Sequence, residues 1–83
     1  MQYRKEYVEM FVRVDVEGQL FPVAFMWDGR RFTVEKTLDR RLSPPQHVGG
    51  ALTELFVCRV DGREHAFYRE TQSGRWFVER RIG

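Results

Sequence analysis

The closest approach to a catalytic pair in this chain is a single thiol that faces a single imidazole. The Asp-Gly pair at 61–62 lies between two strand-like runs, and such a pair is a strong signal for a two-residue β-hairpin. In that register Cys58 lies opposite His65, and a thiol beside an imidazole can act as a nucleophile. A buried Cys more commonly packs as a small hydrophobic residue, and the chain contains no Asn to orient the imidazole. We therefore predict that the protein is not an enzyme.

Metal-ligating residue types are few in this sequence. One Cys and two His, His47 and His65, lack the paired spacing of a zinc site. The Gly-Gly pair at 49–50 allows a phosphate to approach the backbone, but no dinucleotide-binding or P-loop pattern surrounds it, which favours a loop hinge. We expect no metal and no cofactor.

Arginine and aromatic residues form the candidate binding site. Twelve of the 14 Lys and Arg residues are Arg, whose planar guanidinium suits phosphates and carboxylates and stacks on rings. We expect a ligand to bind where a loop at 39–51 crosses the Asp-Gly turn at 28–29 and the last strand, because loops on rigid sheets carry many binding sites. The candidate ligand- or nucleic-acid-binding residues are Trp27, Arg30, Arg40, Arg41, His47, Arg75 and Trp76. A solvated surface of ion pairs is the alternative interpretation.

Two classes of partner remain open for a non-enzymatic binding module. Nucleic acid is the preferred one, because Arg supplies cations for phosphates and aromatic rings supply stacking surfaces. The net charge of +2 is too small to require a polyanion. A protein partner is the alternative, since Leu55, Val57, Ala66 and Tyr68 share a strand face that we expect to lack cover within the chain. That face predicts a homodimer or another protein contact.

Alternating apolar residues separated by turn signals predict an all-β fold. The expected architecture is a six-stranded antiparallel meander curled into a small barrel-like or sandwich-like sheet. Its predicted strands span about 7–16, 20–28, 30–38, 53–60, 63–70 and 75–81.

Two hairpin registers agree on one buried face. The turns are the Asp-Gly pair at 28–29 and the Glu-Gly pair at 17–18. The expected pairs are Phe25 with Phe32 and Val23 with Val34 across the first turn, and Met10 with Phe25, Val12 with Val23 and Val14 with Phe21 across the second. Pro22 cannot donate to a ladder, so we expect irregular pairing near it.

Length and composition are typical of a single small β domain spanning 1–83. The chain has no run of 18 apolar residues, and its first residues lack the apolar centre of a signal peptide. The single Cys58 agrees with a reducing compartment. We therefore expect a cytoplasmic protein without a membrane partner.

The chain resembles a family of small uncharacterised bacterial proteins over about residues 20–80. The segments that carry the resemblance are Pro22, Phe25-Met26-Trp27, Asp28-Gly29-Arg30, Phe32-Thr33-Val34, Leu38-Asp39-Arg40, Gly49-Gly50, Cys58-Arg59-Val60, Gly62-Arg63-Glu64 and Gly74-Arg75-Trp76-Phe77-Val78-Glu79-Arg80. The resemblance implies no particular activity or catalytic residue, and Phe56 stands where the family usually has Tyr. A fainter similarity, carried by the residues from Pro22 to Arg30 and by Trp76, is to a small domain at the end of bacterial translesion-polymerase-like proteins. That similarity implies a nucleic-acid setting.

Overall fold

The computed structural model describes residues 2–83, which form eight β-strands in two antiparallel sheets. The strands are β1 (Tyr3–Val8), β2 (Met10–Val14), β3 (Leu20–Trp27), β4 (Arg30–Thr33), β5 (Lys36–Ser43), β6 (Thr53–Val60), β7 (Arg63–Arg69) and β8 (Trp76–Arg81). The larger sheet has the order β1-β8-β7-β6-β5, and the smaller has the order β2-β3-β4. The predicted all-β fold is confirmed. Over the described residues the chain has eight strands in two sheets instead of the expected six-stranded meander, and the sheets are not closed into a barrel, which was one of the two expected shapes beside a sandwich-like sheet. Within residues 2–83 no helix is long and apolar enough to cross a membrane.

Two long stretches of chain pass from one sheet to the other, which accounts for the extra strands. The predicted strand at 7–16 breaks at Glu9, so that β1 pairs with β8 while β2 pairs with β3. The predicted strand at 30–38 breaks at Val34 and Glu35, so that β4 pairs with β3 while β5 pairs with β6. Side chains keep an approximate alternation through such bends, and for this reason each pair of strands resembles one long strand in the sequence.

The predicted loop at 39–51 is shorter than expected. Strand β5 continues to Ser43 and pairs with β6 along its length, so the connection covers only residues 44–52. The β5–β6 register shifts between Thr37 and Asp39, which leaves Leu38 as a bulge. A bulge moves the following residues to the opposite faces, and this interrupted the alternation that identifies a strand in the sequence.

The Asp-Gly turns set their hairpins as the sequence predicts. Asp28 and Gly29 have φ values of 50° and 75°, the positive values that a two-residue turn of this class requires. Phe25 pairs with Phe32, as expected. The turn at 61–62 has the same geometry and places Cys58 opposite His65, so this predicted pair is also confirmed.

The β2–β3 hairpin departs from its predicted register at Pro22. Met10 pairs with Phe25 as expected, but Val12 pairs with Pro22 rather than with Val23. The register shifts between Phe11 and Val12. The predicted pair of Val14 with Phe21 is wrong for the same reason, because Val14 pairs with Leu20. The irregularity expected at Pro22 is therefore present, because a residue without an N–H cannot continue a regular ladder.

The main core lies between the two sheets, and a smaller cluster lies on the outer face of the larger sheet. The main core contains Phe25, Phe56, Cys58, Val60, Phe67 and Trp76. The outer cluster contains Leu55, Tyr68 and Phe77, with Val48 of the 44–52 connection packed on it. Leu55 and Tyr68 are 6% and 2% exposed, so the prediction that their face lacks cover is wrong for these two residues. Ala66 is exposed and Val57 is half-buried.

Candidate functional site

Strands β7 and β8 are neighbours in the larger sheet but pair over only part of their length. Their ladder consists of Tyr68 with Phe77 and Arg69 with Trp76, next to the turn that joins them. Beyond these pairs the two strands diverge, although β7 stays paired with β6 and β8 stays paired with β1. The sheet therefore contains a cleft with a strand edge on each side.

Backbone groups of both strands point into this cleft. The Glu70 N–H donates to the Arg75 carbonyl at 2.9 Å, and in an antiparallel ladder every second residue faces the same neighbour. The residues whose backbone groups point into the cleft on this alternation are Glu64 and Ala66 on β7, and Glu79 and Arg81 on β8. Within residues 2–83 no strand pairs with these edges. An unpaired edge of this kind is a template for another extended chain.

The floor of the cleft is apolar and comes from both sheets. The cleft has a volume of about 810 Å³, which lies within the range of roughly 300–1,000 Å³ that is usual for ligand sites. Its apolar lining consists of Phe25, Trp27, Phe32, Val60, Phe67 and Val78. Trp27, Phe32 and Val78 are only half-buried, so their side chains remain accessible from the opening.

Basic side chains line the inner side of the opening, which faces the smaller sheet. Arg80 shares this face with Val78, and its guanidinium carbon lies 5.6 Å from the centre of the Trp27 ring. The Arg80 Nη1 also donates to Glu6 Oε1 at 2.8 Å, and this hydrogen bond raises the pKa of the guanidinium. Arg63 and His65 share the inner face of β7 with Phe67 and are exposed. Neither of these two forms an ion pair with any residue in the described range 2–83.

The 44–52 connection forms the outer wall. Glu79 Oε2 accepts hydrogen bonds from the backbone N–H groups of His47 and Val48, the second at 2.7 Å. The His47 ring stacks on Tyr3 with centroids 3.9 Å apart and planes 7° from parallel. These contacts hold the connection against β8 and β1 at the outer side of the cleft.

The structure brings together some of the predicted site residues at this cleft. Trp27 lines it from the smaller sheet, and His47 lines it from the 44–52 connection. Arg30 lies at its border, because it pairs with Trp27 across the hairpin turn and its guanidinium carbon lies 5.1 Å from the centre of the Phe32 ring.

Two other predicted site residues belong to the packing of the protein. Arg40 is half-buried, donates to Glu54 at 3.1 Å and to the Leu20 carbonyl at 2.8 Å, and lies over the Phe56 ring at 4.8 Å. Trp76 is 7% exposed and packs against Phe56 with ring centroids 4.8 Å apart. Both side chains are occupied by partners within the chain, and neither lines the cleft.

The remaining predicted site residues lie apart from the cleft. Arg41 is 63% exposed and pairs with Asp39 at 3.2 Å. Arg75 covers the Tyr7 ring with its guanidinium carbon 3.5 Å from the ring centre. Neither residue lines the cleft, so the seven predicted residues do not form one surface.

The thiol opposite His65 is enclosed by the main core. Cys58 is 0% exposed. Burial raises the pKa of its thiol to about 11, although a hydrogen bond with Thr37 acts in the opposite direction. The thiol is therefore protonated at neutral pH, and thiolate is the nucleophilic form. Nowhere in the described part of the chain do three or more His, Cys, Asp or Glu residues form a group that could hold a metal ion.

Sequence reasoning missed most of the cleft. Arg63, Val78, Glu79 and Arg80 are not among the seven candidate binding residues, and His65 was considered only as a partner of Cys58 and as a metal ligand. Both strands keep their alternation beyond the point where they separate, so the local pattern contains no signal for the separation. Extending the hairpin register from the turn at 70–75 identifies which residues share the inner face, but it does not show where pairing stops.

Comparisons with known proteins add no family to this description. No family model, curated protein or solved structure matches the chain.

Proposed function

We propose that this chain is a non-enzymatic binding module, that its site is the β7–β8 cleft, and that its partner is a protein with an extended segment. The observation that carries the proposal is the limited pairing of β7 with β8, which leaves backbone donors and acceptors on two facing edges. An extended peptide satisfies such groups with its own backbone, as in strand addition and strand insertion. A nucleic acid has no equivalent ladder of donors and acceptors, so the edges favour a peptide.

The apolar floor supports the same partner. Successive side chains of a strand point to opposite faces of a sheet, so every second side chain of an inserted segment would point towards the smaller sheet. Trp27, Phe32 and Val78 are accessible there. Aromatic and aliphatic pockets of this kind supply much of the affinity at protein interfaces.

The backbone edge is tested by removing one donor from it. Ala66 is exposed and its N–H points into the cleft, so Ala66→Pro deletes that donor without removing a β6–β7 hydrogen bond. Ala66→Val is the matched control, because it keeps the N–H. Peptides selected from a random display library on the wild-type protein are expected to bind Ala66→Val normally and Ala66→Pro at least tenfold more weakly.

Nuclear magnetic resonance spectra of the two variants show whether each keeps the fold and where a selected peptide binds. Amide shifts are expected at Glu64, Ala66, Glu79 and Arg81. Peptides that bind the folded Ala66→Pro variant with unchanged affinity would show that the edge is not the site. A selection that yields no peptide with shifts at these amides counts equally against the proposal.

Nucleic acid is the second candidate partner. It is favoured by the guanidinium–ring pairs of Arg80 with Trp27 and of Arg30 with Phe32, together with Arg63, which forms no ion pair within residues 2–83. Such a combination of cations and rings suits single strands. The test is a titration with single-stranded DNA, RNA and duplex at two salt concentrations. Binding through phosphates weakens as salt rises, and Arg63→Ala should lower the slope by up to about one unit.

Arg41→Ala is the control for this titration, since Arg41 is exposed and lies apart from the cleft. If none of the three nucleic acids binds at low salt, the nucleic-acid candidate is removed.

A further inference from the structure

We infer that the partner segment carries an apolar or aromatic side chain and a carboxylate two positions apart, both on the face that enters the cleft. This inference rests on the proposed function. The juxtaposition that points to it is an apolar row of side chains, Phe67 and Val78, directly followed on the inner face of the cleft by a row of basic side chains that contains Arg63, His65 and Arg80.

The register between β7 and β8 defines these rows. Extended past its last pair, it sets Phe67 level with Val78, and sets His65 level with Arg80. Arg63 follows one inner position further along β7. An inserted strand presents its side chains i and i+2 to the same face. One such side chain therefore meets Phe67 and Val78, and the next meets His65, Arg80 and Arg63.

The acidic residues around the cleft leave Arg63 of this row available. By alternation Glu64 and Glu79 lie on the outer face, where Glu79 holds the 44–52 connection. Asp61 lies in the hairpin turn. Glu6 and Asp28 are the acidic groups that act on Arg80, and Glu6 also pairs with Arg4. Neither neutralises Arg63, so a carboxylate of the partner is the complementary group.

The two-sided opening excludes a strand of a second copy as the occupant. The edge strands β1, β2, β4 and β5 each use one edge within their own sheet. An occupant of the cleft has β7 on one side and β8 on the other, and it needs both of its edges free. A flexible segment of a different protein meets this requirement.

The test uses synthetic heptapeptides of threonine labelled with fluorescein. One has Phe at position 3 and Glu at position 5, and a second has Glu at position 3 and Phe at position 5. Both orders are needed because β7 and β8 are antiparallel, so a segment inserted between them is parallel to one strand and antiparallel to the other in whichever direction it runs. Matched peptides replace Glu with Lys, or Phe with Ala. Binding is measured by fluorescence polarisation, and the binding site is mapped from the amide shifts of Ala66 and Glu79.

In one of the two orders, we expect the Phe-and-Glu peptide to bind at least fivefold more tightly than its Lys counterpart and at least tenfold more tightly than its Ala counterpart. Arg63 is exposed, so Arg63→Glu should keep the fold, and it should reverse the preference between Glu and Lys. Arg41→Glu, away from the cleft, should leave the preference unchanged.

Equal binding of the Glu and Lys peptides, with shifts at Ala66 and Glu79, would overturn the inference and leave the proposed function standing. If none of the heptapeptides binds, the inference is tested on the peptides that were selected from the random display library on the wild-type protein. Selected cleft-binding peptides without the apolar–carboxylate spacing overturn the inference, whereas peptides that share this spacing support it. The absence of any cleft-binding peptide overturns both proposals.

Discussion

The carboxylate of Glu79 should be a measurable source of stability, because it ties the 44–52 connection to β8. Its Oε2 accepts from the backbone N–H groups of His47 and Val48, and Val48 packs on the outer apolar cluster. A hydrogen bond to a charged group contributes about 1.5–3 kcal/mol when it is well shielded. His47 is exposed, so we expect Glu79→Ala to lower the free energy of unfolding by about 2 kcal/mol in total.

Glu79→Gln retains one carbonyl oxygen as an acceptor and loses only the charge, so its expected cost is about 1 kcal/mol. The control is Glu64→Ala, an exposed carboxylate on the opposite side of the cleft, with an expected change within about 0.5 kcal/mol. Urea denaturation followed by tryptophan fluorescence measures all three. Faster amide exchange at His47 and Val48 in Glu79→Ala would locate the effect. If Glu79→Ala unfolds at the same urea concentration as Glu64→Ala, the reasoning about this anchor is refuted.

Three further predictions concern groups outside the cleft. Cys58 should react slowly with iodoacetamide in the native state, because the thiol is buried and its pKa is about 11; rapid labelling would contradict the core packing. A hydrogen bond from Ser73 is the main cause that lowers the pKa of Glu70 below its ordinary value of 4.5, so its contribution to stability is present above pH 4.5 and is lost as the pH falls through the folded pKa. Glu70→Gln should therefore unfold more easily than wild type in urea at pH 7, and this difference should shrink at pH 2–3. Glu54→Ala leaves the half-buried Arg40 and Arg69 without their shared carboxylate and should cost about 2 kcal/mol in the same assay, whereas a stability equal to wild type would show that these two ion pairs contribute nothing.

The hairpins that contain Asp-Gly could be predicted from the sequence in detail. A two-residue turn with positive φ at both positions fixes which residues face each other, and Asp28 and Asp61 adopt φ values of 50°. The irregularity at Pro22 was also predictable, since a missing N–H acts at one residue. These features are local, and a local pattern is sufficient to specify them.

The sheet changes and the cleft depend on contacts between distant parts of the chain. The pairing of β2 with β3 follows from the Glu-Gly turn at 17–18, but the bend at Glu9 sends β1 to β8, and no residue near Glu9 identifies that distant partner. The burial of Trp76 and the bonding of Arg40 follow from the same distant contacts. The sequence indicated that Arg and aromatic residues are abundant, but it did not indicate which of them the fold already uses.

The position of the cleft follows from the way in which the two sheets are connected. Strand β8 is held by β1 from the Tyr3–Arg81 pair to the Val8–Trp76 pair, whereas β7 is held by β6 along its hairpin. β7 and β8 therefore belong to two separately braced parts of the larger sheet, which the turn at 70–75 joins. β1 continues into β2 and the smaller sheet, whose Trp27 lies in the floor of the cleft. Closing β8 onto β7 would require β1 to move with β8, because the two are paired along their whole length. The proposed inserted segment would instead occupy the space between the two edges.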